Sequence, residues 1–133
     1  MMVHLGHQAA MLRGLVIGRL GRSGHKATVD KARELFAAHQ ANPAGGALPA
    51  DVRGAAYSIV LKFGDASTID QMLALYRAAD TQEEKERVLR VLGSVESEEL
   101  KSRVLKFSLS VYAYYIILSK LDILYKSILS NTI

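Results

Sequence analysis

The sequence has no cysteine and no tryptophan, and only two of its 133 residues are proline. Without cysteine there is no disulfide framework, no thiolate zinc site and no cysteine nucleophile. The longest strongly apolar run is Val111–Leu118, eight residues, whereas a membrane helix needs about 18 or more. Lys106 and Lys120 stand close on either side of it. Residues 1–6 are too few for the apolar core of a signal peptide, and Arg13 and Arg19 interrupt the next apolar stretch. A cytoplasmic chain with no membrane partner is the expectation. Strand-like alternation is nearly absent through Ser110.

Half of the residues are hydrophobic, which supports a packed core and excludes a fully disordered chain. The net charge of +4 is localised. Residues 1–29 carry Arg13, Arg19, Arg22 and Lys26 and no acid, and the remainder is balanced. These four cations suit phosphates, but an ordinary solvated helix face accounts for them more simply. No nucleic-acid partner is expected.

Helical spacing dominates. Met11, Leu12, Leu15, Val16 and Leu20 form an i, i+3/i+4 stripe that predicts a core-facing first helix, ended by Gly24. Thr28 is expected to cap a second helix with Val29, Ala32, Leu35 and Phe36 on one side. Residues 41–47 read as a loop. Pro49 opens a third helix with Val52, Ala56, Ile59, Val60 and Phe63, and Gly64 stops it. Ser67 and Asp70 resemble a capping box for a fourth, and Thr81 and Glu84 form one for a fifth, closed by Gly93. A sixth is expected from about Ser97, carrying Leu100, Val104, Leu105 and Phe107.

A shift of 40 residues brings Arg13-Gly14 onto Arg53-Gly54, Gly24 onto Gly64, Thr28 onto Thr68 and Asp30 onto Asp70. Leu35-Phe36 falls on Leu75-Tyr76 and Ala38 on Ala78. Two helices per unit of about 40 residues is the range of HEAT-type solenoids. The fold expected is therefore all-α: an α-solenoid of HEAT-like helix pairs, about six helices, over residues 1–110, followed by a divergent hydrophobic tail, 111–133. The tail holds five of the eight isoleucines and four of the six tyrosines, and no Arg, Gly or Pro. Tyr114, Leu118, Leu121, Tyr125 and Ile128 keep helical spacing, so an apolar helix is expected, with a strand as the alternative. Its surplus of apolar side chains predicts self-association.

Catalytic chemistry is not visible. None of His4, His7, His25 and His39 precedes a glutamate, so there is no His-Glu-x-x-His zinc helix. His4 and His7 have a spacing that suits weak metal binding, but a loose N-terminal segment explains them. Gly18–Lys26 lacks the adjacent Gly-Lys of a phosphate loop. Glu83-Glu84 and Glu98-Glu99 fall in predicted first turns, where they complement the helix dipole. No catalytic residue, metal site or cofactor is assigned to the chain.

Several stretches carry a resemblance together: Gly6-His7, Ala10–Val16, Gly24–Thr28, Leu48–Arg53, Val60–Asp65 and Gln82–Lys85. In order and spacing the chain from Gly6 to Ser110 resembles the C-terminal helical domain of the puromycin-sensitive aminopeptidases, within the gluzincin zinc aminopeptidases. The resemblance implies a curved stack of HEAT-like helices that covers the active-site chamber and contacts peptides. It implies zinc in the intact enzyme but none here, since the zinc helix and the Gly-x-Met-Glu-Asn exopeptidase loop are absent from this sequence. The expected function is thus a non-catalytic fragment of a zinc aminopeptidase, with peptides or the catalytic domain as partners. The alternatives are an independent HEAT-like adaptor and a basic nucleic-acid-binding module. After Ser110 the family continues with Glu-Glu-Val-Arg, and here Val111-Tyr-Ala-Tyr-Tyr begins. That switch is expected to mark read-through past an exon end or a mispredicted gene model, with a divergent helix as the alternative. For peptide contacts the expected residues are Arg53 and Tyr57, one turn apart on one helix. The competing structural reading pairs Arg53 with an acid and packs Tyr57 inside.

Overall fold

The computed structural model describes residues 2–132, with side chains from Gly6 onward. Its elements are α1 (Met2–Arg22), α2 (Lys26–Ala41), α3 (Ala50–Lys62), α4 (Ala66–Ala78), α5 (Gln82–Leu92) and α6 (Glu98–Asn131). A short 3-10 turn, Pro43–Gly45, lies in the loop before α3. The described residues contain no strand, so the all-α expectation holds and the tail is helix through Asn131.

The chain divides into two units, residues 1–97 and 98–133. In the first, α1, α3 and α5 stand side by side. α2 packs on α1 and α3, and α4 on α3 and α5. α3 therefore touches every other helix of the unit, and it supplies the largest share of the core: Ala56, Tyr57, Ile59, Val60 and Leu61. Phe36 of α2, Ile69 and Met72 of α4, and Val88 and Leu92 of α5 close around it.

The 40-residue correspondence reappears as a repeated contact. Arg13 of α1 reaches Asp51 at the start of α3, 2.7 Å away. Arg53 of α3 reaches Glu84 at the start of α5, 3.1 Å away. The glycine after each arginine faces the next helix of the layer. A Cβ on Gly14 would lie 2.7 Å from the Asp51 carbonyl, and one on Gly54 would lie against Arg87.

Two expectations about helix starts are corrected. α2 begins at Lys26, with His25 in the N-cap position and Thr28 inside the helix. The Thr28 hydroxyl meets His25 Nδ1 at 2.8 Å rather than capping the backbone. α4 is capped by Asp65, not Ser67. Its carboxylate accepts from the Ser67 and Thr68 amides, and Thr68 Oγ1 accepts from the Asp65 amide. An ionised carboxylate is the better acceptor for these two donors. Gly24 ends α1 in the left-handed region, φ 92°, as expected. Two cations close helix C-termini from neighbouring helices: Lys62 Nζ donates to the Arg22 carbonyl and Arg33 to the Phe63 carbonyl.

The α1 stripe is also corrected. Met11, Leu12, Leu15, Val16 and Leu20 are exposed, between 43% and 65%. The face turned to α3 is the one with Gly14, Gly18 and Gly21. Periodicity locates the apolar face, but here the absence of side chains permits the closer helix approach.

In the second unit, α6 runs unbroken for 34 residues. The compositional boundary expected at residue 110 falls inside it, because side-chain composition changes there while backbone hydrogen bonding does not. None of its residues is buried. Its most apolar 18-residue window has a mean hydropathy of 1.3, so by length and composition α6 is long and apolar enough to cross a membrane. The eight-residue run Val111–Leu118, taken alone, does not meet that measure.

A part-buried Glu84 node and a basic groove

Glu84 is the third residue of α5. Thr81 caps that helix, its Oγ1 accepting from the Glu84 amide at 3.2 Å. The second half of the expected capping box is not formed. The Glu84 carboxylate turns inward and collects three donors from two helices. Oε1 accepts from the Tyr57 hydroxyl at 2.6 Å, and Oε2 accepts from Arg53 at 3.1 Å and from Arg87. Arg53 also donates twice to the Leu48 carbonyl, at 2.9 and 3.2 Å, which ties the pre-α3 loop to the node. Arg87 donates to Glu83 as well.

Tyr57 has no exposed surface. Its ring meets Phe36 edge-on, with centroids 5.8 Å apart. Its oxygen lies 3.0 Å from His39 Nε2. The proton count fixes the tautomer: the single hydroxyl proton goes to Glu84, so His39 donates from Nε2 and its Nδ1 is left as a bare acceptor. That buried Nδ1 has no hydrogen-bond partner. His39 lines a recess of about 400 Å³ with Asn42, Arg53, Asp80, Thr81 and Glu84.

The electrostatics follow the geometry. Burial lowers the His39 pKa from its ordinary value, Arg53 adds to this, and Glu84 opposes it. Burial alone would raise the Glu84 pKa. The hydrogen bonds from Tyr57 and Arg53 and the charges of Arg87 and Arg53 outweigh it, and the carboxyl is held below its ordinary value. Tyr57 is pushed well upward by burial and by its bond to a carboxylate. It stays a neutral donor at every physiological pH.

Arg53 and Tyr57 therefore do share a helix face, but that face is turned to α5 and the core. Arg53 pairs with Glu84 and Tyr57 packs inside. The Glu84 node itself escapes a sequence reading that assigns the residue to a cap. Its one legible signal is an Arg and a Tyr at i, i+4 spacing facing an acid at a helix start.

The four N-terminal cations separate into two kinds. Arg13 is paired with Asp51 and Lys26 with Asp30. Arg19 and Arg22 instead line a groove of about 930 Å³ formed by α1, α3 and α5. Arg90 lines it too, beside Met11, Leu12, Leu15 and Ala55. The groove combines guanidinium groups with a largely apolar wall. Among the described residues no group of three or more His, Cys, Asp or Glu side chains can hold a metal ion. The side chain of His4 lies outside the described residues, so its pairing with His7 is not described.

Comparison with known proteins places this architecture. Residues 4–121 match the family model of the ERAP1-like C-terminal domain. The match extends past Ser110 into the compositionally distinct segment. The chain is 37% identical over 107 residues to Aminopeptidase M1 of Arabidopsis thaliana, covering 78% of this chain and 12% of that protein. It is 32% identical over 108 residues to Aminopeptidase M1-A of Oryza sativa subsp. japonica, covering 79% and 12%. It is 27% identical over 100 residues to the puromycin-sensitive aminopeptidase of Caenorhabditis elegans, covering 75% and 10%. The chain thus spans about an eighth of the length of these relatives or less. With most of its length matched, the chain belongs to the ERAP1-like C-terminal domain family.

Proposed function

We propose that this chain is a non-catalytic segment of the HEAT-like helical wall that covers the active-site chamber of a cytoplasmic zinc aminopeptidase and contacts its peptides. The observation that carries this reading is the family match over residues 4–121, together with relatives that are aminopeptidases by name. The zinc chemistry belongs to a catalytic domain outside this sequence. The described side chains offer no three-ligand set for it.

The peptide-contacting role is assigned to the α1–α3–α5 groove rather than to Arg53 and Tyr57, whose polar groups are engaged with Glu84 and His39. Arg19, Arg22 and Arg90 suit a carboxylate, by charge and by fork geometry. The apolar wall suits the side chains between. Fluorescence anisotropy with a labelled acidic peptide tests this. Binding should weaken severalfold in Arg19→Ala and Arg90→Ala and stay unchanged in Lys31→Ala on α2. Equal binding by all of them would remove the groove from the reading.

A second reading, a HEAT-like adaptor for a protein partner, draws on the exposed stripe of α1. Helical stacks bury such faces only against a neighbouring unit. Either a catalytic domain or another protein fits that need. Pull-down with the catalytic portion of a puromycin-sensitive aminopeptidase discriminates between them, since an adaptor has no reason to retain it.

A further inference from the structure

α6 carries a feature that an apolar composition does not require. Leu100, Val104, Phe107, Val111, Tyr114, Leu118, Leu121, Tyr125 and Ile128 are spaced alternately by four and three residues, without a break. This is a heptad seam sustained over four repeats, with Val104, Val111, Leu118 and Tyr125 in the a positions and the other five in the d positions. All eight charged residues of the helix lie off it: Glu98, Glu99, Lys101, Arg103, Lys106, Lys120, Asp122 and Lys126. Five seam residues, Tyr114, Leu118, Leu121, Tyr125 and Ile128, are 46–66% exposed.

We propose that α6 pairs with α6 of a second copy of this chain, antiparallel, along this seam. Antiparallel pairing sets each a residue against a d residue of the partner. One register stacks Val104 on Leu121, Val111 on Tyr114, Leu118 on Phe107 and Tyr125 on Leu100, each pair formed twice by symmetry. Every aromatic ring then meets an aliphatic side chain. The parallel arrangement would instead stack Phe107, Tyr114 and Tyr125 on themselves. The same antiparallel register brings Lys101 beside Asp122 of the other copy at flanking e positions. Both residues now make exposed pairs within their own helix, Lys101 with Glu98 and Asp122 with Lys126. Such pairs contribute little and exchange readily.

A bilayer is the other environment that an all-round apolar helix fits. The stretch between Lys106 and Lys120 is 13 residues, about 20 Å at the helical rise, against a hydrocarbon core of about 30 Å. A span would therefore draw Lys120 and Asp122 into lipid, whereas the paired helices leave Lys120 outside and give Asp122 a partner.

The test uses the full chain. Light scattering after size exclusion should give twice the 14.5 kDa chain mass. Leu118→Glu, on the seam, should return the mass to that of one chain with helix content unchanged by circular dichroism. Ile123→Glu, also apolar and more exposed but on the outer f position, should leave the dimer intact. The absence of native cysteine makes orientation readable. Val104→Cys chains mixed with Leu121→Cys chains should form a mixed disulfide, and Val104→Cys alone should not. A full-length monomer at all concentrations overturns the proposal, as does Val104→Cys joining to itself. Co-sedimentation with phosphatidylcholine–phosphatidylserine vesicles, lowered equally by Leu118→Glu and Ile123→Glu, would assign the helix to lipid instead.

Discussion

The Tyr57 hydroxyl donates to Glu84 Oε1 at 2.6 Å across 27 residues of sequence, and its oxygen accepts from His39 in the same geometry. One phenol thus joins α2, α3 and α5, and the carboxylate beneath it pairs with two guanidinium groups. Removing the hydroxyl by Tyr57→Phe leaves both the carboxylate and His39 Nε2 short of a partner. A buried polar group left unpaired costs about 1–3 kcal/mol. Glu84→Gln should cost somewhat more, about 2–3 kcal/mol, because hydrogen bonds to charged groups are the stronger ones. Urea unfolding followed by circular dichroism measures both. A variant of either kind as stable as the parent chain would show that the node is not a determinant of the fold.

The pH dependence comes from the same node. His39 is neutral in the fold, with its pKa lowered from an ordinary 6.5. Between the lowered value and 6.5 the unfolded chain binds a proton that the folded chain does not, so stability falls as pH drops below about 6.5. Glu84 is lowered from an ordinary 4.5, and its contribution is full above that value and lost as pH falls further. Two successive acid-side losses are expected. In His39→Gln the upper one should vanish while the lower persists. An unfolding midpoint that is flat from pH 7 to 5 in the parent chain would contradict the assignment of His39.

Much of the fold is legible in the sequence because its determinants are local. Thr81 at the start of α5, Gly24 at the end of α1 and Ala56, Ile59 and Val60 on the apolar face of α3 are each read within one or two turns of chain, although Phe63 at the end of that face is exposed. One error is itself local: Asp65 takes the cap from Ser67 because its carboxylate reaches two amides. Elsewhere a tertiary contact overrides a local pattern. Glu84 satisfies the capping-box pattern but spends its carboxylate on donors from 27 and 31 residues away. The α1 stripe is apolar and helical in period, yet the glycines opposite it face α3. The 40-residue self-match is the one long-range signal in the sequence, and it marks the two arginines that bridge successive helices of the layer.

No peptide hydrolysis is expected from the isolated chain. A catalytic zinc needs three protein ligands and an open position, and the described residues hold no such group. Assay on aminoacyl fluorogenic substrates with added zinc should match the blank. Turnover abolished by a chelator would reveal a site elsewhere in the chain.

The glycine face of α1 gives a contrast that tests the packing directly. A Cβ on Gly14 would sit 2.7 Å from the Asp51 carbonyl oxygen, a backbone atom that cannot move without shifting the start of α3. A Cβ on Gly18 would sit 3.5 Å from Ala55 Cβ, an ordinary contact. Alanine in a helix interior gains about 0.8–1.0 kcal/mol over glycine, while overpacking costs about 1–3 kcal/mol. Gly18→Ala should therefore be neutral or stabilising by up to about 1 kcal/mol. Gly14→Ala should be destabilising on balance, because the clash exceeds the gain in propensity. Thermal melts of the two single variants beside the parent chain measure the difference. If both stabilise equally, α1 does not approach α3 through this face. If both destabilise equally, the tolerance expected at Gly18 is wrong and the two helices are closer there than at ordinary contact.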